Sequence, residues 1–243
     1  MRYRMMIAFL GTPFHGWQEQ ANAVTVQGVL NRALSDLFGE PISAVGCSRT
    51  DAGVHAERFV CHFDAKKTFP AERLPMALAP RLPREIAVLS GEVAPPDFHA
   101  RFDTKSKIYR YDILNSSRPD PFLAGRAARV ERKIDLDRLN REKDAFLGTH
   151  DFASFMAAGS NVKGTERTIY SFDVAEKGDR ISLTVHGNGF LYHMVRIMVG
   201  TLLERNFGKI LLTVPEILQK KDRSFAGITA KPEGLYLQNV FYE

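Results

Sequence analysis

The sequence predicts an α+β protein: two similar halves whose mainly antiparallel sheets join, with helices packed on the outer face and a cleft between the halves. Three observations predict it. Each half runs strand, helix, then paired strands. Several strands follow one another with no helix between them, which argues against the alternating order of a parallel strand–helix–strand sheet. A turn-rich stretch at residues 115–121 follows a strand in mid-chain and sets the division just before it, near residue 105, giving halves of 1–104 and 105–243.

Taken in order, Tyr3, Met5, Ile7 and Phe9 alternate with other residues, the two-residue period of a half-buried first strand. The loop Gly11-Thr12-Pro13-Phe14-His15-Gly16-Trp17-Gln18 follows and holds the sole tryptophan. Thr25 stands where an N-cap belongs. Val26, Val29, Leu30, Ala33, Leu34, Leu37 and Phe38 then recur at helical spacing, and Gly39 closes the helix. Residues 42–47 and 59–63 read as strands. Residues 70–78 read as a short helix that Pro80 and Pro83 end. Ile86–Val93 is a strand that Pro95-Pro96 interrupts.

In the second half, residues 108–114 form a strand with Tyr109 and Tyr111 on one face and Arg110 on the other. Asp135 caps a helix running to Phe146, which Gly148 stops. Residues 169–175 and 181–186 make a hairpin around Lys177-Gly178-Asp179. A long apolar helix spans 190–203, a short one 215–219, and Leu235–Phe241 is the closing strand.

Composition narrows the function classes. Lys and Arg outnumber Asp and Glu by 33 to 28, and the sequence pI is about 9.2, a modest excess that suits a polyanionic partner. Cys47 and Cys61 are the only cysteines and form no CxxC pair. That excludes a disulfide scaffold and a four-cysteine zinc site, and a reducing cytoplasm is the natural home. The apolar run after Arg4 is too short for a secretory signal core. No stretch reaches the roughly 18 apolar residues of a membrane span. A soluble, cytoplasmic protein is expected.

The chemistry centres on Ser48-Arg49-Thr50-Asp51-Ala52-Gly53-Val54-His55-Ala56. A carboxylate sits here in a short loop of small residues between two strands. Loops on rigid frames carry catalytic side chains, but an Asx-type turn, with Asp51 capping backbone amides, fits the spacing equally. Arg196 projects from the apolar helix, sharing a wheel face with Gly189, Tyr192, His193 and Gly200. A buried guanidinium needs an anion, for which Asp51 is a candidate; snorkelling to solvent or pairing with Glu204 is the plainer alternative.

The run Arg101-Phe102-Asp103-Thr104-Lys105-Ser106-Lys107-Ile108-Tyr109-Arg110-Tyr111 mixes cations with rings, the combination that single-stranded nucleic acid requires. An edge strand with a charged face reads the same way. His150-Asp151 suggests a metal pair, but no two histidines lie three or four apart, so no metal is expected. Without a GxxxxGK[ST] or GxGxxG loop, no nucleotide cofactor is expected either. Gly187-Asn188-Gly189 could bring amides near a phosphate or simply form a tight turn. The small-residue loop at 157–164 is a further candidate for RNA contact.

Together these strings resemble the TruA family of tRNA pseudouridine synthases. The matching strings are Gly11-Thr12 to Gly16-Trp17-Gln18, Thr25-Val26-Gln27, the Asp51 loop, Phe98-His99-Ala100-Arg101-Phe102 and Tyr109-Arg110-Tyr111. His150-Asp151-Phe152-Ala153-Ser154-Phe155, Gly187-Asn188-Gly189-Phe190-Leu191-Tyr192-His193-Met194-Val195-Arg196 and Gly234-Leu235-Tyr236-Leu237 complete the set, in the family's order. The resemblance implies that Asp51 is the nucleophile, that Arg196 pairs with it, and that Tyr109 stacks on the target uracil. It implies that Arg49 assists base flipping, that Leu235 lines the pocket floor, and that His193 lies in the substrate-binding set. It further implies the pseudouridine synthase fold, a homodimer, no metal or cofactor, and a tRNA anticodon stem-loop as substrate, modified at uridines 38, 39 and/or 40.

Such a reaction breaks the N1–C1′ bond and re-forms the glycosidic link through C5 of the same ring. The target must leave its stack, at a cost of a few kcal/mol, which cations and a stacking ring offset. A positioned carboxylate can attack the sugar or the base, or take a sugar proton. One carboxylate suffices, whereas a nucleoside hydrolase would usually want two. An RNA-binding or tRNA-folding module with weak or lost catalysis is the alternative of a different class.

Overall fold

The N-terminal alternation gives β1 (Arg2–Phe9), with Tyr3, Met5, Ile7 and Phe9 all buried. After the loop at 11–20 comes α1 (Val26–Phe38). Thr25 Oγ1 accepts from the Gly28 amide at 3.2 Å, and Gly39 closes the helix in the left-handed region at φ 66°. β2 (Val45–Gly46) is shorter than expected because side chains, not a strand, hold the backbone before it. Ser35 Oγ accepts from the Ile42 amide, and Asn31 and Gln27 engage both backbone groups of Ala44.

β3 (His55–Asp64) is longer than expected and pairs antiparallel with β1 and β2. α2 (Leu74–Leu78) is flanked by 3₁₀ turns at Ala71–Arg73 and Ala79–Arg81, so Pro80 lies inside the closing turn rather than beyond it. β4 (Ile86–Val93) pairs antiparallel with β1.

The second run begins with β5 (Ser106–Leu114) and β6 (Ala128–Arg129), a parallel bridge pair that the pattern did not signal. α3 (Leu136–Lys143) is capped by Asp135, whose carboxylate accepts from the Arg138 amide at 3.0 Å. β7 (Gly148–Asp151) is a second short strand absent from the sequence expectation. The expected hairpin forms from β8 (Glu166–Lys177) and β9 (Arg180–Gly187).

α4 (Met194–Asn206) starts four residues late, because His193 adopts a left-handed conformation at φ 60° that α-helix cannot accommodate. α5 (Val214–Lys220) carries a complete capping box between Thr213 and Glu216. β10 (Leu235–Phe241) ends the chain.

The structure describes residues 1–159, 162 and 164–243 and is a computed structural model; the chain divides into two compact units. The first comprises Met1–Lys105 and Tyr236–Glu243, and the second Ser106–Leu235. Assigning all of 105–243 to one half therefore needs correcting. β10 runs parallel to β3, with Tyr236 beside His55 and Leu237 beside Ala56, and this pairing carries the C-terminal strand into the first unit.

The first unit's sheet has the order β4-β1-β3-β10, and the second unit's β5-β9-β8-β7. Antiparallel pairing dominates both, and the class is α+β. Tyr3, Phe38 and Phe63 anchor one core, with ring centroids 5.0 to 5.6 Å apart. Phe146, Phe152, Phe155 and Phe172 anchor the other, all buried. Among the described residues no helix is long and apolar enough to cross a membrane.

Candidate active site

The Asp51 loop is gripped by backbone on two sides. The Trp17 amide donates to Thr50 O at 3.0 Å and the Gly53 amide to Phe14 O at 3.3 Å; within the loop, the Val54 amide donates to Asp51 O at 3.1 Å. These approaches require glycine. A Cβ at Gly11 would lie 2.0 Å from Val54 O, and one at Gly16, where φ is +84°, 2.5 Å from Thr50 O. The following histidine is structural: His55, 0% exposed, accepts the Gly11 amide on Nδ1 at 2.9 Å. Its ring stacks on Tyr236 at 4.5 Å.

Behind the loop, Trp17 stacks on Phe59 at 4.3 Å, and a Cβ at Gly46 would strike both rings. Asp51 is half-buried and Arg49 exposed. Between them Thr50 is 8% exposed, and its Oγ1 has no hydrogen-bond partner among the described residues.

The remaining predicted site residues lie in the second unit. Tyr109 and Tyr111 are buried on the same face of β5. Phe190 meets the Tyr109 ring edge-on at 5.1 Å. Tyr111 OH donates to Lys231 O at 2.8 Å, and burial pushes its phenol well above the ordinary tyrosine range. Arg110 is paired with Asp112 at 3.0 Å.

Arg196, half-buried in the first turn of α4, donates from Nε to Ala230 O at 2.7 Å. Leu235 is buried at the start of β10, just after Gly234, whose Cβ would meet the Tyr111 ring at 2.7 Å. His193 precedes α4, and its ring lies tilted against that of the exposed Tyr192, centroids 3.8 Å apart. The wheel grouping of Gly189, Tyr192 and His193 with Arg196 is therefore corrected: those three residues are not helical. Gly200 needs its missing side chain for another reason, since a Cβ would lie 1.8 Å from Ile228 O.

Two other motifs turn out to be occupied by architecture. Asp151 accepts from Thr165 Oγ1 and the Ala153 amide and pairs with Lys221 at 3.0 Å; the Thr165 bond foremost holds its carboxyl below the usual range. His150 bonds Leu147 O. Among the described residues no cluster of three or more His, Cys, Asp or Glu is placed to hold a metal ion. Asn188 ties its turn to β8 through Thr168, the tight-turn use of Gly187-Asn188-Gly189. Residues 160, 161 and 163 of the loop at 157–164 lie outside the described residues.

A family model described as tRNA pseudouridine synthase matches residues 5–103 and 144–243. The chain belongs to the tRNA pseudouridine synthase family. It is 42% identical over 240 residues to the tRNA pseudouridine synthase A of Acetivibrio thermocellus, covering 98% of each chain. It is 42% identical over 246 residues to that of Bacillus subtilis, covering 100% of each, and 39% over 240 residues to that of Clostridium kluyveri, covering 98% of each. Pseudouridine synthases are isomerases.

The sequence reading overlooked two polar side chains of α1 that tie the helix to Glu19 and to the residue before β2. Gln27 accepts the Glu19 amide and donates to Ala44 O, while Asn31 spans from Glu19 to the Ala44 amide. Both are polar residues on the inner face of α1, nine-tenths buried. A polar residue at an apolar helical position was the available signal. The Phe98-His99-Ala100 string likewise proves to be a junction. The Ala100 amide donates to His62 Nδ1 at 3.1 Å, and Tyr242 OH donates to Ala100 O at 2.7 Å.

Proposed function

We propose that this isomerase converts uridine to pseudouridine at the adjacent 3′-side uridines of the tRNA anticodon stem-loop, as a homodimer in the cytoplasm and without metal or cofactor. Asp51 acts on the target nucleotide, Arg196 is its cationic partner, and Tyr109 is the ring against which the uracil rests. Arg49 assists extrusion of the base, while Leu235 and His193 contact it.

The observation that carries the reading is the grip on Asp51. Backbone bonds to Thr50 O and from Gly53, and glycine approaches at Gly11 and Gly16, fix a half-buried carboxylate in one small loop. A carboxylate held in this way is suited to proton transfer or nucleophilic attack. The exposure of Arg49 within the same loop supports its reading as the flipping aid, since an exposed guanidinium can meet phosphate as the base leaves its stack.

The test is position-resolved pseudouridine mapping in tRNA treated with wild type, Asp51→Ala and Asp51→Asn. Wild type should modify the anticodon stem-loop, and both variants should lose at least a thousandfold in turnover while still binding tRNA. Turnover by Asp51→Ala at the wild-type rate would remove Asp51 from its role. Binding by wild type without isomerised product would favour the RNA-binding module, and released uracil would favour a hydrolase.

A further inference from the structure

Thr50 presents a hydroxyl whose chemistry the fold does not use. Its carbonyl accepts the Trp17 amide, and Gly16 packs against that carbonyl with no room for a Cβ. Its backbone is thus pinned one residue before Asp51. The residue is 8% exposed, and Oγ1 is buried without a partner among the described residues. Buried hydroxyls in native proteins are nearly always hydrogen-bonded, and an exception asks for an explanation. If packing were the only requirement, valine would fill the same volume without stranding a polar atom.

Threonine is stiff at χ1, so its hydroxyl and methyl exchange places by hops between a few wells. No bond among the described residues holds Oγ1 where it lies, so a hop breaks none of those. A molecule that offers a partner will capture the rotamer that faces it, a population shift driven by one new interaction. An interaction absent from the unliganded enzyme and made only with substrate contributes to turnover, not to folding.

We propose that Thr50 is a substrate-contacting residue whose hydroxyl finds its partner in the ribose 2′-hydroxyl of the target nucleotide. This rests on the reading that Asp51 acts on that nucleotide. In that reading the reaction is at C1′, C2′ is the neighbouring atom, and Thr50 is the residue adjoining Asp51. A 2′-hydroxyl both donates and accepts, which suits a threonine, and it is the group that distinguishes RNA from DNA.

The experiment measures kcat/KM and thermal midpoint for wild type, Thr50→Val and Thr50→Ser. The substrates are two anticodon stem-loops, with uridine or 2′-deoxyuridine at the target position. Thr50→Val should keep or raise the thermal midpoint and lose at least tenfold in kcat/KM on the ribose substrate. Thr50→Ser should stay within threefold of wild type. On the deoxy substrate, wild type and Thr50→Val should be equal.

Wild-type kcat/KM in Thr50→Val would overturn the proposal. So would an equal loss on both substrates, or a loss that tracks a lowered thermal midpoint and is shared by Thr50→Ser. Absence of pseudouridine with wild type would instead sink the functional reading on which the proposal stands.

Discussion

The Asp51 loop and the helix bearing Arg196 are held in opposite ways. The loop is fixed by main chain: amides of Trp17 and Gly53, carbonyls of Thr50 and Phe14, and close approaches at Gly11 and Gly16. α4 is fixed by its side chains. Most of its residues are buried, and near its C-terminal end Arg205 forms a two-point pair with Glu142 of α3. Arg138, one turn earlier on α3, joins the same carboxylate at 3.0 Å. Glu142 is kept ionised by its two arginines against the opposing pull of burial. A main-chain grip holds position to a fraction of an ångström, which suits the role proposed for Asp51. A side-chain grip holds a scaffold together and tolerates small shifts.

The largest effect should come from breaking the side-chain grip. Glu142→Leu leaves Arg205, 7% exposed at its side chain, without its anion. Stranding one member of a buried pair costs about 3 to 5 kcal/mol. Chemical denaturation should register that loss, while turnover per folded molecule, measured well below the thermal midpoint, stays within about twofold because no site residue moves. A matching fall in turnover would show that α4 transmits strain to Arg196.

Gly11→Ala should give the reverse balance. The new methyl group would start 2.0 Å from Val54 O, and the carbonyl has no flexible end with which to yield. Overpacking of this kind costs about 1 to 3 kcal/mol, but displacing the Asp51 loop by even 1 Å should cost about a hundredfold in turnover. Stability loss with unchanged turnover would mean that the loop's position is not what the glycines secure.

A third test concerns pH and lies wholly in the first unit. Burial lowers the His62 pKa to about 4 from the ordinary value of 6.5. Its Nδ1 accepts the Ala100 amide, a bond that only the unprotonated nitrogen can take. The folded state therefore resists a proton that the unfolded chain binds. The stability contribution is complete above pH 6.5 and falls away as pH drops towards 4. The wild type should lose about 1 to 2 kcal/mol more than His62→Gln between pH 7.5 and pH 5. Parallel stability curves would refute it.

The same contrast explains what was legible in the sequence. β1, α1 with both its caps, β4 and the hairpin of β8 and β9 follow from local period and turn chemistry, and all formed. The Asp51 loop stood out as a short contiguous string, but its spacing fitted a capped turn equally, and the glycines that grip it, Gly11 and Gly16, lie outside that string. The failures share one cause, a partner distant in sequence. β10 joins β3 across some 180 residues, which no periodicity announces. Ile42 and Ala44, before β2, are held by the side chains of Ser35, Gln27 and Asn31. The start of α4 was misplaced because the left-handed His193 looks like any other residue of an apolar run.

The smallest expected effect bears on how far the main-chain grip extends. Thr25 caps α1, and the first amides of that helix, from Val26 and Gln27, donate to Gly16 O and Trp17 O on the strip that holds Thr50. Thr213 caps α5, a helix of the second unit. Removing either cap as Thr25→Ala or Thr213→Ala should cost about 1 kcal/mol. If the grip runs through the helix terminus, only Thr25→Ala should also lower turnover, by about threefold to tenfold, because fraying at Val26 releases the bond to Gly16. Rescue should follow in Thr25→Ser, whose hydroxyl restores the cap. Equal turnover in the two alanine variants would confine the grip to Gly11, Gly16 and His55, and would make α1 a support for the core alone.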